Sequence, residues 1–205
     1  MKKHILLSSL VILLIFVNSI NASDKAKIDE AAPNFKLIDS NGKEHSLSDF
    51  KGKYVVLEWI NFECPFVKKH YESKNMQNLQ KQFTDKGVVW LSICSSAEGK
   101  QGNYSKEDIN KRIKELEANM SAYLIDETGT VGKMYSAKTT PHMYVINKEG
   151  ILIYAGGIDD IASTDKADIK KASNFVELAL EAAMTGKSVN QKVSKPYGCS
   201  IKYQN

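Results

Sequence analysis

Cysteine is scarce in this chain, with three in 205 residues, and Cys64, Cys94 and Cys199 stand far apart. They allow at most one disulfide within the chain and leave one thiol over. The third residue after Cys64 is Val67, so there is no vicinal dithiol. No short Cys/His motif offers a preformed metal site. Charge of one sign is also missing: 28 Lys and Arg face 24 Asp and Glu, and no basic block marks a nucleic-acid surface. There is no internal repeat and no low-complexity tract. The one long apolar run, residues 5–17, is too short and too early to span a membrane comfortably.

That run belongs to an export signal. Lys2, Lys3 and His4 precede it, and a short polar segment ending at Ala22 follows it, which is the secretory signal pattern. No cysteine lies near the cut, which argues against a lipoprotein. Residues 1–22 are therefore expected to be a signal peptide, leaving 23–205 as the mature chain. Without Lys2 and Lys3 it carries 26 basic against 24 acidic side chains. A chain of this length fits one domain with its own core, expected over 23–186, followed by a tail over 187–205 that carries Cys199. The expected location is periplasmic or otherwise exported, with no stable membrane association after cleavage and no nucleic-acid partner. In an oxidising compartment the cysteines become candidates for redox chemistry.

The chain is organised around residues 54–71, YVVLEWINFECPFVKKHY. An apolar run ends at Asn61, Cys64 follows, and Pro65 suits the first position of a helix, where a missing N–H costs nothing. A buried strand that delivers a cysteine to a helix start favours a thiolate, because the free amides and the helix dipole stabilise negative sulfur. Lys68, Lys69 and His70 are read on the outer side of that helix, His70 as a solvated surface residue. Glu63 is a candidate proton-handling neighbour, but as a carboxylate it would raise the Cys64 pKa.

Elsewhere, Asp39-Ser40-Asn41-Gly42 is a turn between two short strands. Met76, Leu79 and Phe83 share a helical face. Residues 88–94 form a second buried strand ending at Cys94. Ser105 with Asp108 and Asn174 with Glu177 resemble capping boxes that open further helices. Residues 142–146 and 151–154 read as a closing hairpin, and 156–171 as a charged loop. Trp59 and Trp90 are read as core or crevice-wall aromatics. Buried runs alternating with helices imply an α/β class with a parallel sheet core, to which the hairpin adds antiparallel strands.

That order, with Thr140-Pro141 just before the hairpin, resembles the thioredoxin-like fold. The stretches Ala32-Pro33-Asn34-Phe35-Lys36-Leu37 and Leu47-Ser48-Asp49-Phe50-Lys51-Gly52-Lys53 resemble its redoxin branch, which includes the alkyl hydroperoxide reductase and thiol-specific antioxidant proteins. Glu63-Cys64-Pro65-Phe66-Val67, Ser95-Ser96-Ala97, Thr139-Thr140-Pro141-His142 and Pro196-Tyr197-Gly198-Cys199 are similar to a bacterial peroxiredoxin-like subgroup. The resemblance implies a central mixed sheet with helices on both faces and an N-terminal β-hairpin extension. Two departures stand out. Val67 replaces the second cysteine of Cys-x-x-Cys. Leu57 and Asn61 occupy the proline and threonine positions of the peroxiredoxin Pro-x-x-x-Thr-x-x-Cys signature; Asn61 can still donate a hydrogen bond.

The resemblance implies that Pro141 is a cis proline facing Cys64, with Thr140 supplying backbone contacts to a substrate strand. Cys199, in a tail read as mobile and without helix or strand pattern, is a candidate resolving thiol for an oxidised Cys64. The alternatives are an exposed thiol or a bridge to Cys94. Cys94 is read as a small buried residue, with pairing to Cys64 as its alternative. The expected activity is that of a thiol-dependent oxidoreductase whose Cys64 thiolate attacks a peroxide or a protein disulfide and is regenerated by a second cysteine or an external thiol reductant. That chemistry needs no cofactor and no metal. Two other classes stay open: a copper-binding module using Cys64, His70, His142 and Cys199 as soft ligands, and a redoxin-fold binding protein without catalysis.

Overall fold

Apolar residues are buried on both faces of the central strands, as expected when helices cover a sheet from two sides. The computed structural model describes residues 25–204; the signal segment expected over 1–22 lies outside the described residues. Seven strands run in the order β2 (Glu44–Ser46), β1 (Lys36–Asp39), β5 (Ala122–Ile125), β4 (Val89–Cys94), β3 (Val55–Trp59), β7 (His142–Ile146) and β8 (Leu152–Gly156). β3, β4 and β5 are mutually parallel, and Val55 pairs with Val89. β7 and β8 extend one side as the antiparallel hairpin. β1 and β2 extend the other side as the N-terminal hairpin. This is the expected mixed sheet with an antiparallel closure.

The two faces are unequally covered. α1 (Pro65–Glu72), α2 (Asn75–Thr84), α3 (Lys106–Glu115) and α5 (Phe175–Met184) pack on one face through Val67, Met76, Phe83, Ile109 and Leu180. The other face holds the short α4 (Thr130–Met134), a 3-10 turn over Leu47–Phe50, and an aromatic group of Phe35, Trp59, Tyr135 and Tyr144. Trp59 and Trp90 are both fully buried, as read from the sequence. The capping residues act where expected: Ser105 Oγ accepts from Asp108 N, and Asn174 accepts from Val176 N and Glu177 N.

β3 carries a polar exception. Glu58 is fully buried, and its carboxyl accepts from Trp90 Nε1 at 2.7 Å, Ser92 Oγ at 2.8 Å, Tyr71 Oη at 2.9 Å and Gln80 Nε2 at 3.1 Å. Burial pushes its pKa up against these four donors. The cluster ties α1 and α2 to β3 and β4 behind the cysteine-bearing end of the sheet.

A second, two-stranded sheet was not foreseen. β6 (Thr139–Thr140) pairs antiparallel with β9 (Cys199–Ser200), with Thr140 opposite Cys199. The tail is therefore no mobile appendage. Ser194 accepts from Gly157 N and pairs with Tyr154 Oη; farther on, Ile201 N donates to Lys138 O and Tyr203 Oη to Ala137 O. It forms a strap across the end of the sheet, held by backbone bonds and two aromatic anchors, Tyr197 and Tyr203. No helix among the described residues is long and apolar enough to cross a membrane.

Candidate active site

Cys64 is the N-cap of α1, with Pro65 at the first helical position, which places its side chain at the positive end of the helix. As a thiol, Cys64 Sγ donates to the Thr140 carbonyl at 3.0 Å, and Cys199 N donates to that sulfur at 3.4 Å. The peptide bond between Thr140 and Pro141 is cis, as expected. Cys64, Thr140, Pro141 and Cys199 thus meet at one point. The strand that Thr140 holds is the chain's own β9.

The electrostatics favour a Cys64 thiolate. Burial raises its pKa, but polar groups around the sulfur outweigh that: the Cys199 side chain, the Thr140 hydroxyl, and the amides of Val67 and Cys199. The net direction is below an ordinary thiol. Thr140 Oγ1 is buried and completes no hydrogen bond among the described residues, so its side chain acts on the sulfur only as a near neighbour. Cys199 moves the opposite way, up to about 11, because of its own burial and then the neighbouring Cys64 sulfur. Two thiols that share a proton in this way divide into one that ionises easily and one that does not.

The expected surface patch on α1 is corrected. Only Lys68 faces solvent; Lys69 and His70 are 1% and 0% exposed. Each is drawn inward by a partner far along the chain. Lys69 Nζ donates to Ile161 O at 3.1 Å and lies 3.9 Å from Asp159 Oδ2. Asn75 donates to His70 Nδ1 at 2.9 Å, which leaves the ring proton on Nε2, 3.2 Å from Tyr197 Oη. Tyr197 donates in turn to Asp159 Oδ1 at 2.5 Å. His70 is held neutral, its pKa down at about 3, by burial and then by the Lys69 charge. Asp159 is raised by burial, which the bond from Tyr197 and the charge of Lys69 oppose.

Tyr197, Asp159, His70 and Lys69 therefore form a buried latch two residues upstream of Cys199. In the sequence Tyr197 is one residue of the Pro-Tyr-Gly-Cys segment with no role marked for it, and Asp159 carries no signal in its charged loop. Gly198 completes the arrangement. It has φ 137°, and a Cβ there would run into the Thr140 carbonyl.

The other candidates lie outside this contact. Cys94 is buried; its Sγ donates to Gly102 O at 3.4 Å, and the Tyr123 phenol lies against it. Glu63 accepts from Tyr104 Oη at 2.5 Å. Asn61 does not serve the cysteine sulfur: its amide donates to Gln101 O and accepts from Glu63 N, fixing the turn and the neighbouring loop. Leu57 faces the opposite core. His142 is buried, its pKa down at about 4 from burial and then the Lys138 charge, and its Nδ1 accepts from Lys138 N. Cys64, His70, His142 and Cys199 are not assembled as a ligand set; no group of three or more His, Cys, Asp or Glu among the described residues is placed to hold a metal.

Comparison with known proteins bears on the family and the fold. The AhpC/TSA family model matches residues 28–155. Thiol-disulfide oxidoreductase ResA of Bacillus thuringiensis subsp. konkukian is 28% identical over 162 residues, 75% of this chain and 88% of that relative. An uncharacterised conserved protein from Geobacillus kaustophilus superposes with TM-score 0.72 at 30% identity, covering 87% of this chain and 93% of that one. A hypothetical protein from Sinorhizobium meliloti shares the fold with TM-score 0.72 at 24% identity, over 89% and 97% of the two chains.

Proposed function

This chain belongs to the AhpC/TSA family of thiol-dependent oxidoreductases, and on that premise we propose that it is an exported thiol–disulfide oxidoreductase whose redox pair is Cys64 and Cys199. The observation that carries the reading is the β6–β9 pair, which sets the Cys199 amide 3.4 Å from Cys64 Sγ. The cycle joins a reduced state, with Cys64 as thiolate and Cys199 as thiol, to a Cys64–Cys199 disulfide. Two electrons pass between this pair and a partner disulfide or dithiol. Thr140 and Pro141 position the tail strand, and the Thr140 carbonyl holds the Cys64 thiol in the reduced state. Export rests on the signal pattern of residues 1–22, and the relative's name supports disulfide exchange as the chemistry.

Mild oxidation of the full chain, followed by thiol blocking and non-reducing peptide mapping, tests the pairing. A Cys64–Cys199 bridge is expected. A Cys64–Cys94 bridge, or a lasting sulfenic acid on Cys64, would sink it.

Peroxide as the oxidant is the second reading, favoured by the complete burial of Cys64, which a small molecule penetrates more readily than a protein disulfide. The thiolate would attack one peroxide oxygen, giving a sulfenic acid and releasing water or an alcohol. Cys199 would then condense with the sulfenic acid, releasing water and closing the same bridge. Against this stands Asn61, whose amide is engaged elsewhere. Equal peroxide consumption by the wild type and Cys64→Ser removes this reading and leaves the exchange reading intact.

A further inference from the structure

We infer that Cys199, not Cys64, is the sulfur through which the bridged pair exchanges with an external dithiol, Cys64 serving as the internal leaving group; this rests on the pairing proposed above. A thiolate attacks a disulfide in line, entering on the far side of one sulfur while the other departs behind it. For attack at Cys64, with Cys199 departing, the far side is the packed interior. Cys64 is 0% exposed and belongs to the core cluster that holds Ile60, Phe62, Val67 and Tyr71. For attack at Cys199, with Cys64 departing, the approach is from outside. Cys199 retains partial exposure on a two-residue strand at the edge of the fold.

The leaving-group chemistry points the same way. The donors around Cys64 stabilise its thiolate, whereas the Cys199 thiol is pushed up to about 11. The sulfur with the lower pKa departs faster. In the first step the partner thiolate bonds to Cys199 Sγ, the Cys64–Cys199 bond breaks, and Cys64 leaves as a thiolate. In the second step the partner's other thiolate attacks its own sulfur in the mixed disulfide. It closes the partner's disulfide and expels Cys199, which takes up a proton. The partner loses two electrons, the pair gains two, and one proton is released overall. A dithiol is the matching partner class. Because Cys199 is a poor leaving group, its displacement needs a second thiol already tethered at the site.

The order of thiols is therefore inverted relative to a motif in which the helix-start cysteine meets the partner. The strap both covers Cys64 and carries its electrons.

The test uses the full-length wild-type chain. It is oxidised, checked by non-reducing peptide map for the Cys64–Cys199 bridge, mixed with excess glutathione, quenched in acid at short times, alkylated and mapped. Glutathione is a monothiol, so the tethered second step is absent. If the bridge is missing before mixing, the pairing itself fails and this inference with it. Given the bridge, glutathione is expected on Cys199 and the alkyl group on Cys64, in roughly tenfold excess over the reverse arrangement. Glutathione mainly on Cys64, an even division, or no adduct on Cys199 at any time overturns the inference and leaves the pairing standing.

Discussion

Thr140 and Cys199 are cross-strand partners, so the residue whose carbonyl accepts from Cys64 also fixes the height at which the second thiol arrives. The approach depends on Gly198, where a Cβ would meet the Thr140 carbonyl. Gly198→Ala is expected to lift β9 and weaken the Cys64–Cys199 bridge on the order of tenfold, about 1.4 kcal/mol, relative to glutathione. The bridged fraction across a series of glutathione redox buffers measures this. A thermal melt on the same variant is expected to move by only a few degrees, since the main core is untouched.

Removing one oxygen should loosen the strap from its other side. Tyr197→Phe keeps the ring against Phe66 but deletes the hydroxyl that joins His70 to Asp159. Asp159 then keeps the amide of Ile161 and two long contacts of 3.9 Å, to Lys69 Nζ and to His70 Nε2. A cost of about 1–3 kcal/mol is expected from leaving a buried carboxyl short of a donor. Urea denaturation of the reduced protein reads that cost. Tyr197→Phe should also lower the rate of bridge closure, whereas a remote destabilising change in β1 should not.

The two thiols should titrate separately. In a Cys94→Ser background, thiolate absorbance followed against pH is expected to show one step below the usual thiol range and another near 11, the latter belonging to Cys199. Cys64→Ser should abolish the lower step. It should also bring the Cys199 step down, because the neighbouring sulfur that opposes its ionisation is gone.

Acid stability is expected to report on His142. Its native pKa is near 4, below the unfolded value of about 6.5, so the unfolded chain binds a proton first as pH falls. The stability associated with a neutral His142 is complete above pH about 6.5 and is lost progressively down to the native pKa. His142→Gln keeps an acceptor for Lys138 N but cannot titrate. Between pH 6 and 4 its unfolding free energy should fall less steeply than the wild type's, by about 1.4 kcal/mol per pH unit. Urea melts at three pH values suffice.

Much of the site was legible because it is written locally. The apolar run into Cys64 and Pro65 specifies a strand, an N-cap and a first helical residue within eleven positions, and Asn174 opens α5 by the same capping logic. Thr140-Pro141 was legible through family resemblance. What escaped was specified at a distance. Lys69 and His70 look like a basic helix face until Ile161 and Tyr197, 92 and 127 residues onward, supply their partners. β9 is two residues long against another of two, so no periodicity could announce it. Glu58 interrupts an apolar run, and its four donors come from three other elements: Tyr71 on α1, Gln80 on α2, and Trp90 and Ser92 on β4.

The strap also imposes an order in time. Cys64 and Cys199 lie 135 positions apart, so the second is made long after the first, with Tyr203 anchoring the chain beyond it. A chain that emerges amino end first presents Cys64 uncovered, before its guard exists. Until Cys199 arrives, the sulfur lacks both its cover and the Cys199 donors that help to lower its pKa. Only when the strap folds over the end of the sheet does Cys64 acquire its partner, its guard and its full electrostatic support together. Docking of the strap is thus a chemical event for this protein: the step that converts an open thiol into a selective one.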